Sequence, residues 1–465
     1  MLNILILAAG DSTRMKSKTP KVLHKVCGKE IINWVIDAAS GVCADKLSPN
    51  NITIVIGNKA DVVKEHISAS YLNKSIAYAH QTERKGTAHA VMCAKDSLLE
   101  QGDTLILAGD APLITSKTLS NAYMAHKNSG AAITVLTANI KHPTGYGRII
   151  KHNNNDISVQ KIVEEKDANA QEREICEVNS GMYFFDTNFL CQALQQISTD
   201  NAAGEYYLTD MIAVANQSDK KVNSYKIDDI DEIRGINDRQ QLSQASKIAQ
   251  KKIIRRHMRN GVTFISPADT FVSPDVTIGQ DTIIYPQCIL QKGTTIGEDC
   301  IIIKSRISNS HICNGCEVES STIVDSQLNN NIKVGPFAYI RPGCNIEDNA
   351  KIGDFVEVKN SNIGAGTKLP HLTYVGDADV GSGVNFGCGS IVVNYDGKDK
   401  HRSKVGNNVF VGCNTNLVSP VDVGDGAFIA AGSTITKNVP DNTLAIARAR
   451  QEIKTGWRDK RKIEN

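Results

Sequence analysis

Between Val272 and Ile435 the chain repeats itself every six residues. Val272, Ile278, Ile284, Leu290, Ile296 and Ile302 are spaced six apart, and so are Val405, Val411, Leu417, Val423, Ile429 and Ile435. A small residue often follows the aliphatic one, as in Ile278-Gly279, Ile352-Gly353 and Val423-Gly424. Four positions after it stands another small or apolar side chain, such as Thr282, Cys288, Thr294, Cys300, Cys316, Thr415 or Ser433. A sustained period of this kind predicts a parallel β-helix, each coil stacking on the last to bury one continuous core. Six residues hold one short strand and a bend, so three units close one triangular coil.

At 465 residues the chain exceeds one ordinary core, and two or more domains are expected. The low aromatic content, 5%, fits a C-terminal half built from Val, Ile, Gly and small residues. A net charge of +2 gives no global pull toward nucleic acid or membrane. The basic run Lys251–Arg259 and the tail Arg458–Lys462 read as solvated surface. Twelve cysteines without a disulfide framework point to a reducing, cytoplasmic setting. Cys313 and Cys316 lack a second pair at zinc-ribbon spacing, and Cys316 falls on the inward small position of the hexad starting at Ile312, so it reads as packing rather than metal ligation. Residues 2–9 are apolar but lack a charged leader and run into Gly10, which predicts a first buried strand. No apolar run is long enough to span a membrane.

The N-terminal half alternates strand and helix patterns. Strands are expected at 3–9, 51–57, 76–80 and 104–108, with helices at 31–40, from Asp61, and at 87–99. This predicts an α/β domain with a mostly parallel sheet, whose ligands bind beyond the carboxyl ends of the strands. Loops 10–21 and 109–113 both lie at such ends. The first offers backbone amides near Gly10 with Arg14 and Lys21, which suits phosphate but also an ordinary surface turn. The second places Asp110 directly after a buried strand, where a carboxylate can hold Mg²⁺ against a triphosphate. Together they point to nucleotidyl transfer, in which a protein mainly positions phosphates and neutralises charge. Residues 229–258 carry a helical stripe, Ile233, Ile236, Leu242, Ala245, Ile248 and Ile253, stopped by Gly261.

In the C-terminal half the repeat slips, at places that read as insertions into the solenoid. Ten residues separate Ile302 from Ile312, and eight separate Val324 from Ile332. Longer interruptions, expected to emerge as loops, cover 364–379 and 393–404. The first carries His371 and Tyr374, the second Asn394, Tyr395 and the cations Lys398, Lys400, Arg402 and Lys404. From the residues alone His371 is either a surface histidine or a general base.

Several motifs carry a family resemblance. Leu7-Ala-Ala-Gly10 with Thr13-Arg-Met15 and Pro20-Lys21, Gln81 with Gly86-Thr87-Ala88, and Gly109-Asp110-x-Pro112-Leu113 resemble the sugar-1-phosphate nucleotidyltransferases. So do Pro143-Thr-Gly-Tyr-Gly-Arg148, Glu164-Glu-Lys-Asp167, Asn179-Ser-Gly181 and Gly204–Asp210. Joined to a hexapeptide β-helix, the whole chain resembles the bacterial bifunctional family that fuses N-acetylglucosamine-1-phosphate uridyltransferase to glucosamine-1-phosphate acetyltransferase.

The resemblance implies a Rossmann-like α/β nucleotidyltransferase domain (1–228), a long helical arm (229–258), and a left-handed parallel β-helix acetyltransferase domain (259–465). It implies that Leu7, Ala8, Ala9, Gly10, Gln81, Gly86 and Thr87 hold the uridine of UTP, and that the catalytic Arg14 and Lys21 face its phosphates. Asp110 and Asn237 would hold Mg²⁺, and Gly147, Glu164 and Asn179 would bind the sugar. In the second half His371 would be the general base, with Arg341 and Lys359 on the sugar phosphate and Tyr374 and Asn385 on the sugar. Asn394, Tyr395, Cys388, Cys413, Ala431 and Arg448 would serve acetyl-CoA. The family is trimeric, so a homotrimer is implied, with Arg448 and the tail near Trp457 completing a neighbour's site. Family members commonly have Gly at the place of Ser12, and often Ala and Ser at those of Cys388 and Cys413. The alternative is a single-activity nucleotidyltransferase with a structural β-helix; it predicts no reactive loop, and the 364–379 and 393–404 interruptions with His371 argue against it.

Overall fold

The computed structural model describes residues 2–10, 13–42, 51–57, 59–99, 101–153 and 156–460. Asp11, Ser12, Arg461 and Lys462 lie outside the described residues. The chain divides into two compact units, Met1–Ala249 and Gln250–Asn465.

The first unit is built on a nine-stranded sheet. Its strands are β1 (Leu2–Leu7), β2 (Asn51–Ile56), β3 (Ile76–His80), β4 (Asp103–Ala108), β5 (Ile133–Asn139), β6 (Arg148–Lys151), β7 (Val159–Val163), β8 (Glu177–Asp186) and β9 (Val222–Lys226). The order is β9-β5-β8-β4-β1-β2-β3, with β6 pairing β8 and β7. β1 lies parallel to both β2 and β4, whereas β8 runs antiparallel to β4 and β5. Successive side chains of a strand point to opposite faces. Ile4, Ile6, Leu105, Leu107 and Phe184 therefore pack on one face, and Leu5, Ile106, Tyr183 and Phe185 on the other. A sheet covered on both faces needs near-continuous apolar strands, as LNILIL is but for Asn3. Asn3, the polar residue in that run, is satisfied by the Leu99 backbone through two 3.0 Å hydrogen bonds.

Helices Ile31–Ser40, Ala60–Ser70 and Thr87–Cys93 follow the first three strands, and Ser116–Ser129 follows β4. Because Leu7 pairs with Ala108, β1 and β4 end side by side, and loops 8–21 and 109–113 leave the sheet together.

The second unit consists mainly of three parallel sheets of 11, 10 and 9 short strands, each full coil giving one strand to each sheet. Their inward residues stack in register, for example Ile284 on Ile302 and Ile296 on Ile312. Nearly all are fully buried, as the six-residue period requires. The arrangement fits the expected left-handed parallel β-helix.

Three sequence expectations need correction. The slips near 302–312 and 324–332 are shortened sides rather than insertions: Ile302, Ile307 and Ile312, then Ile323 and Leu328, step inward five residues apart, and Val324 faces away from that core line. The stretch 364–379 does not leave the coil either. It contains strands Lys368–His371, Tyr374–Gly376 and most of Ala378–Val380, with Leu369 and Val375 buried on the hexad line. Polar outward residues and Pro370 hid a normal coil there, and 394–402 is the segment that departs from the strands.

The third correction concerns the arm, whose helix spans Arg239–Arg259 and not 229–258. Ile230–Ile233 is a 3-10 turn, and Asp238 caps the helix by accepting from Gln241 N at 2.8 Å, while the Gln241 side chain accepts from Asn237 N at 2.7 Å. An Asp followed three residues later by Gln is a helix-start signal present in the sequence.

Candidate active sites

The ends of β1 and β4 border a cavity of about 430 Å³. Its lining includes Leu7, Ala8, Ala9, Gly10, Lys21, Gln81, Gly86, Thr87 and Asp110, gathered from four separate stretches of sequence. It also includes Arg84, Gly181 and Glu205, which are not among the site residues expected from sequence. Gly181 and Glu205 sit in motifs noted above, and that was the available signal. Arg14 is exposed in the 3-10 turn Thr13–Met15 and is not part of this lining.

Lys21 enters from the turn after Pro20 with its side chain 9% exposed. Its ammonium lies 2.5 Å from Asp110 Oδ2 and 3.1 Å from Asn237 Oδ1. Asn237 reaches this point because the chain breaks before the helix and pins itself back, Ile236 N donating to Asp110 O at 3.0 Å. Two hard oxygens thus converge on one cation. That donor chemistry fits Mg²⁺ as well as an ammonium, since magnesium is held by one or two carboxylate-type ligands plus substrate phosphates. Among the described residues no cluster of three or more His, Cys, Asp or Glu forms a self-sufficient metal cage.

Gln81 donates to Gly86 O at 3.1 Å. Gly86 has φ +107°, and a Cβ there would stand 2.8 Å from Tyr206 N, inside the backbone of the facing segment. Only glycine lets 85–88 close on 204–209, a closure held by Ala88 N to Tyr206 O at 3.0 Å and Leu208 N to Thr87 Oγ1 at 3.1 Å.

The three expected sugar residues also meet. A Cβ on Gly147 would stand 3.5 Å from Glu164 Oε2 and 3.6 Å from Asn179 Cβ. Asn179 Oδ1 accepts from Gly181 N at 3.0 Å, linking this cluster to the cavity wall. Burial pushes the Glu164 carboxyl up, and Thr209, which donates to it at 3.2 Å, only partly offsets this. A solvated carboxylate would show no such effect.

In the β-helix unit a second polar cluster spans consecutive coils. Tyr339, Glu357, Tyr374 and Ile391 are successive ladder partners, and Lys359 pairs with Gly376. Arg341 Nη1 donates to Glu357 Oε1 at 2.7 Å. Lys359 Nζ lies 3.6 Å from Asp377 Oδ2, which also accepts from the buried Asn394 at 2.5 Å. Asn394 Nδ2 lies 3.4 Å from the Tyr374 hydroxyl. The Lys359 ammonium pushes neighbouring Lys400 below the usual lysine range, marking Lys400 as a member of the cluster. Asp396 organises the departing loop, accepting from His401, Asp399 N and Lys398 N, and these hold its carboxyl far below the usual range. Tyr395 is exposed and donates to Gly397 O at 2.6 Å.

His371 ends strand Lys368–His371, and its Nδ1 is hydrogen-bonded to Asp354. Asn385, a ladder partner of Lys368, stands in the next coil of the same sheet. Cys388, Cys413 and Ala431 follow one another up a single corner: Asn414 N donates to Cys388 O and Gly432 N to Cys413 O, each at 2.8 Å. Arg448 closes the top by donating to Ala431 O at 2.6 Å. Cys316 points into the core, its sulfur 3.0 Å from Asn329 O.

With this geometry established, comparisons with known proteins are specific. The nucleotidyl transferase family matches residues 3–231, and the bacterial transferase hexapeptide family (six repeats) matches 402–437. Proteins called bifunctional protein GlmU are similar over the full length. That of Clostridium botulinum strain 657 is 50% identical over 459 residues, 98% of both chains. That of Clostridium perfringens strain SM101 is 51% identical over 462 residues, 99% of both. That of Clostridium acetobutylicum is 50% identical over 459 residues.

Proposed function

Since the chain belongs to the bifunctional GlmU family, we propose that its two polar clusters carry the two successive reactions that make UDP-N-acetylglucosamine. The protein is a transferase with two activities. It moves an acetyl group from acetyl-CoA to glucosamine 1-phosphate, and a uridylyl group from UTP to N-acetylglucosamine 1-phosphate with release of pyrophosphate. The observation that carries the assignment of the first unit is the meeting of Lys21, Asp110 and Asn237 at the carboxyl edge of the sheet.

In this reading the Leu7–Gly10 backbone, Gln81, Gly86 and Thr87 hold uridine, and Gly147, Glu164 and Asn179 orient the sugar. Lys21 and Arg14 offset charge developing on the phosphates. Asp110 and Asn237 hold Mg²⁺, which when bound neutralises phosphate charge. In the second unit Arg341, Lys359 and Lys400 receive the sugar phosphate, and Tyr374, Asn385 and Asn394 orient the amino sugar. His371 takes the proton from the 2-amino group as the amine nitrogen attacks the thioester carbonyl; the C–N bond forms, the C–S bond breaks, and the departing thiolate takes the proton from His371 to leave as CoA thiol. Tyr395, Cys388, Cys413, Ala431 and Arg448 line the acetyl-CoA corner. We assign residues 1–228 to uridylyl transfer, 229–258 to the linker and 259–465 to acetyl transfer.

We further assign a homotrimer of cytoplasmic location, with Arg448 and the segment near Trp457 serving a neighbouring copy. The exposed aromatic stacks Phe337 on Phe355, at 5.3 Å, and Phe410 on Phe428, at 4.5 Å, are surfaces that an interface would cover. No described helix is long and apolar enough to cross a membrane.

Paired assays on the purified protein test the reading. One follows CoA thiol release with glucosamine 1-phosphate; the other follows pyrophosphate release with UTP and N-acetylglucosamine 1-phosphate. His371→Ala removes only the first and Asp110→Ala only the second. Loss of both activities from either change in a folded protein contradicts two separate sites.

A further inference from the structure

His371 does not stand alone. Its Nδ1 meets Asp354 Oδ1 across one step of the β-ladder, in which Asp354 and His371 are direct partners. The contact is built by backbone. Leu372 N donates to Asp354 O at 3.0 Å, and Thr373 Oγ1 donates to His371 O at 2.7 Å, fixing the strand end that carries the imidazole. Gly353 makes the approach possible, because a Cβ there would stand 2.6 Å from the carbonyl carbon of Pro370. Gly353 and Pro370 thus bring the residues after them, Asp354 and His371, into hydrogen-bonding range.

An ionised carboxylate can only accept a hydrogen bond, so the proton between the two groups belongs to Nδ1. A neutral imidazole with its proton on Nδ1 has an unprotonated Nε2. We propose that Asp354 is a positioning residue for acetyl transfer, which holds His371 in the tautomer whose Nε2 is the base and offsets the charge of the imidazolium formed when that nitrogen takes the substrate's proton. The hydrogen bond from His371 holds the Asp354 carboxyl below the usual range, so it stays ionised throughout the neutral region. Asp354 stands 17 residues before His371 and in no motif noted above, so the β-ladder alone discloses the pair. This inference rests on the reading of His371 as the base.

The test uses the full-length protein with Asp354→Ala, Asp354→Glu and His371→Ala, each assayed for CoA thiol release and for pyrophosphate release. Asp354→Ala is expected to lower kcat for acetyl transfer by about 10- to 100-fold, a part of what a positioned base contributes. KM for both substrates and the rate of pyrophosphate release should stay within about twofold, as expected when only a transition-state interaction is lost. Formate, a small carboxylate, should restore kcat of Asp354→Ala in a concentration-dependent way and leave the wild type and His371→Ala unaffected. Asp354→Glu keeps the acceptor and should retain more activity than Asp354→Ala, which keeps the idea testable if the alanine variant folds poorly. An unchanged kcat in Asp354→Ala, or a loss that neither formate nor glutamate relieves, overturns the proposal. Retention of acetyl transfer by His371→Ala is a different failure, because it removes the base itself.

Discussion

The Lys21 ammonium lies 2.5 Å from Asp110 Oδ2, joining the loop after the first strand to the loop after the fourth. The lysine side chain is 9% exposed and the carboxylate 25%, so the pair is poorly screened. Lys21→Met removes a cation from a partly desolvated site facing the proposed phosphates. The expected loss is about 10²- to 10³-fold in kcat for pyrophosphate release, the range seen when one electrostatic stabiliser is deleted. Acetyl transfer serves as the internal control and should be unchanged.

Gly86 is held at φ +107° with no room for a Cβ against Tyr206. Gly86→Ala should strain or open the closure of 85–88 on 204–209, costing on the order of 1–3 kcal/mol. The measurable consequence is a raised KM for UTP and a lower urea midpoint for the first unit, with CoA thiol release preserved.

Asp103 is buried at the opposite end of the fourth strand, away from the cavity. Burial by itself would raise its pKa, but the Tyr123 hydroxyl and the Lys127 ammonium, with the His126 ring 3.6 Å away, outweigh that and hold it at about 2. Tyr123 and Lys127 each approach it at 2.9 Å. A carboxyl depressed in the folded state contributes stability that is present above its unfolded pKa of about 3.9 and disappears as the pH falls through the folded value. Asp103→Asn should therefore cost about 1–2 kcal/mol at neutral pH. In urea unfolding, its gap from the wild type should narrow as the pH is lowered from about 4 toward about 2. A gap independent of pH would mean that packing, not charge, carries the effect.

Cys413 is exposed and Cys388 half-buried on the corner assigned to acetyl-CoA. N-ethylmaleimide should inactivate acetyl transfer, and acetyl-CoA should protect against it. The double change Cys388→Ala and Cys413→Ser should keep activity and abolish the sensitivity, with pyrophosphate release as the reference in every arm. Sensitivity that persists in the double variant would place the reactive thiol elsewhere.

Much of this protein is determined by local pattern. A six-residue period specifies which side chain enters the core of each coil, because a short parallel strand buries alternate residues whatever lies far away in sequence; Leu369 and Val375 obey it even where polar neighbours disguise it. Near-continuous apolar strands such as Leu2–Leu7 likewise announce a sheet covered on both faces. The tertiary structure decided which charges meet. Lys21 finds Asp110 across 89 residues and Asn237 across 216, while Asp354 finds His371 across one coil. Such pairings depend on strand order, on where a helix begins and on how closely two backbones approach. A window of neighbouring residues carries none of these, so chemistry legible as residue types becomes a site only when the fold brings its distant members to one place.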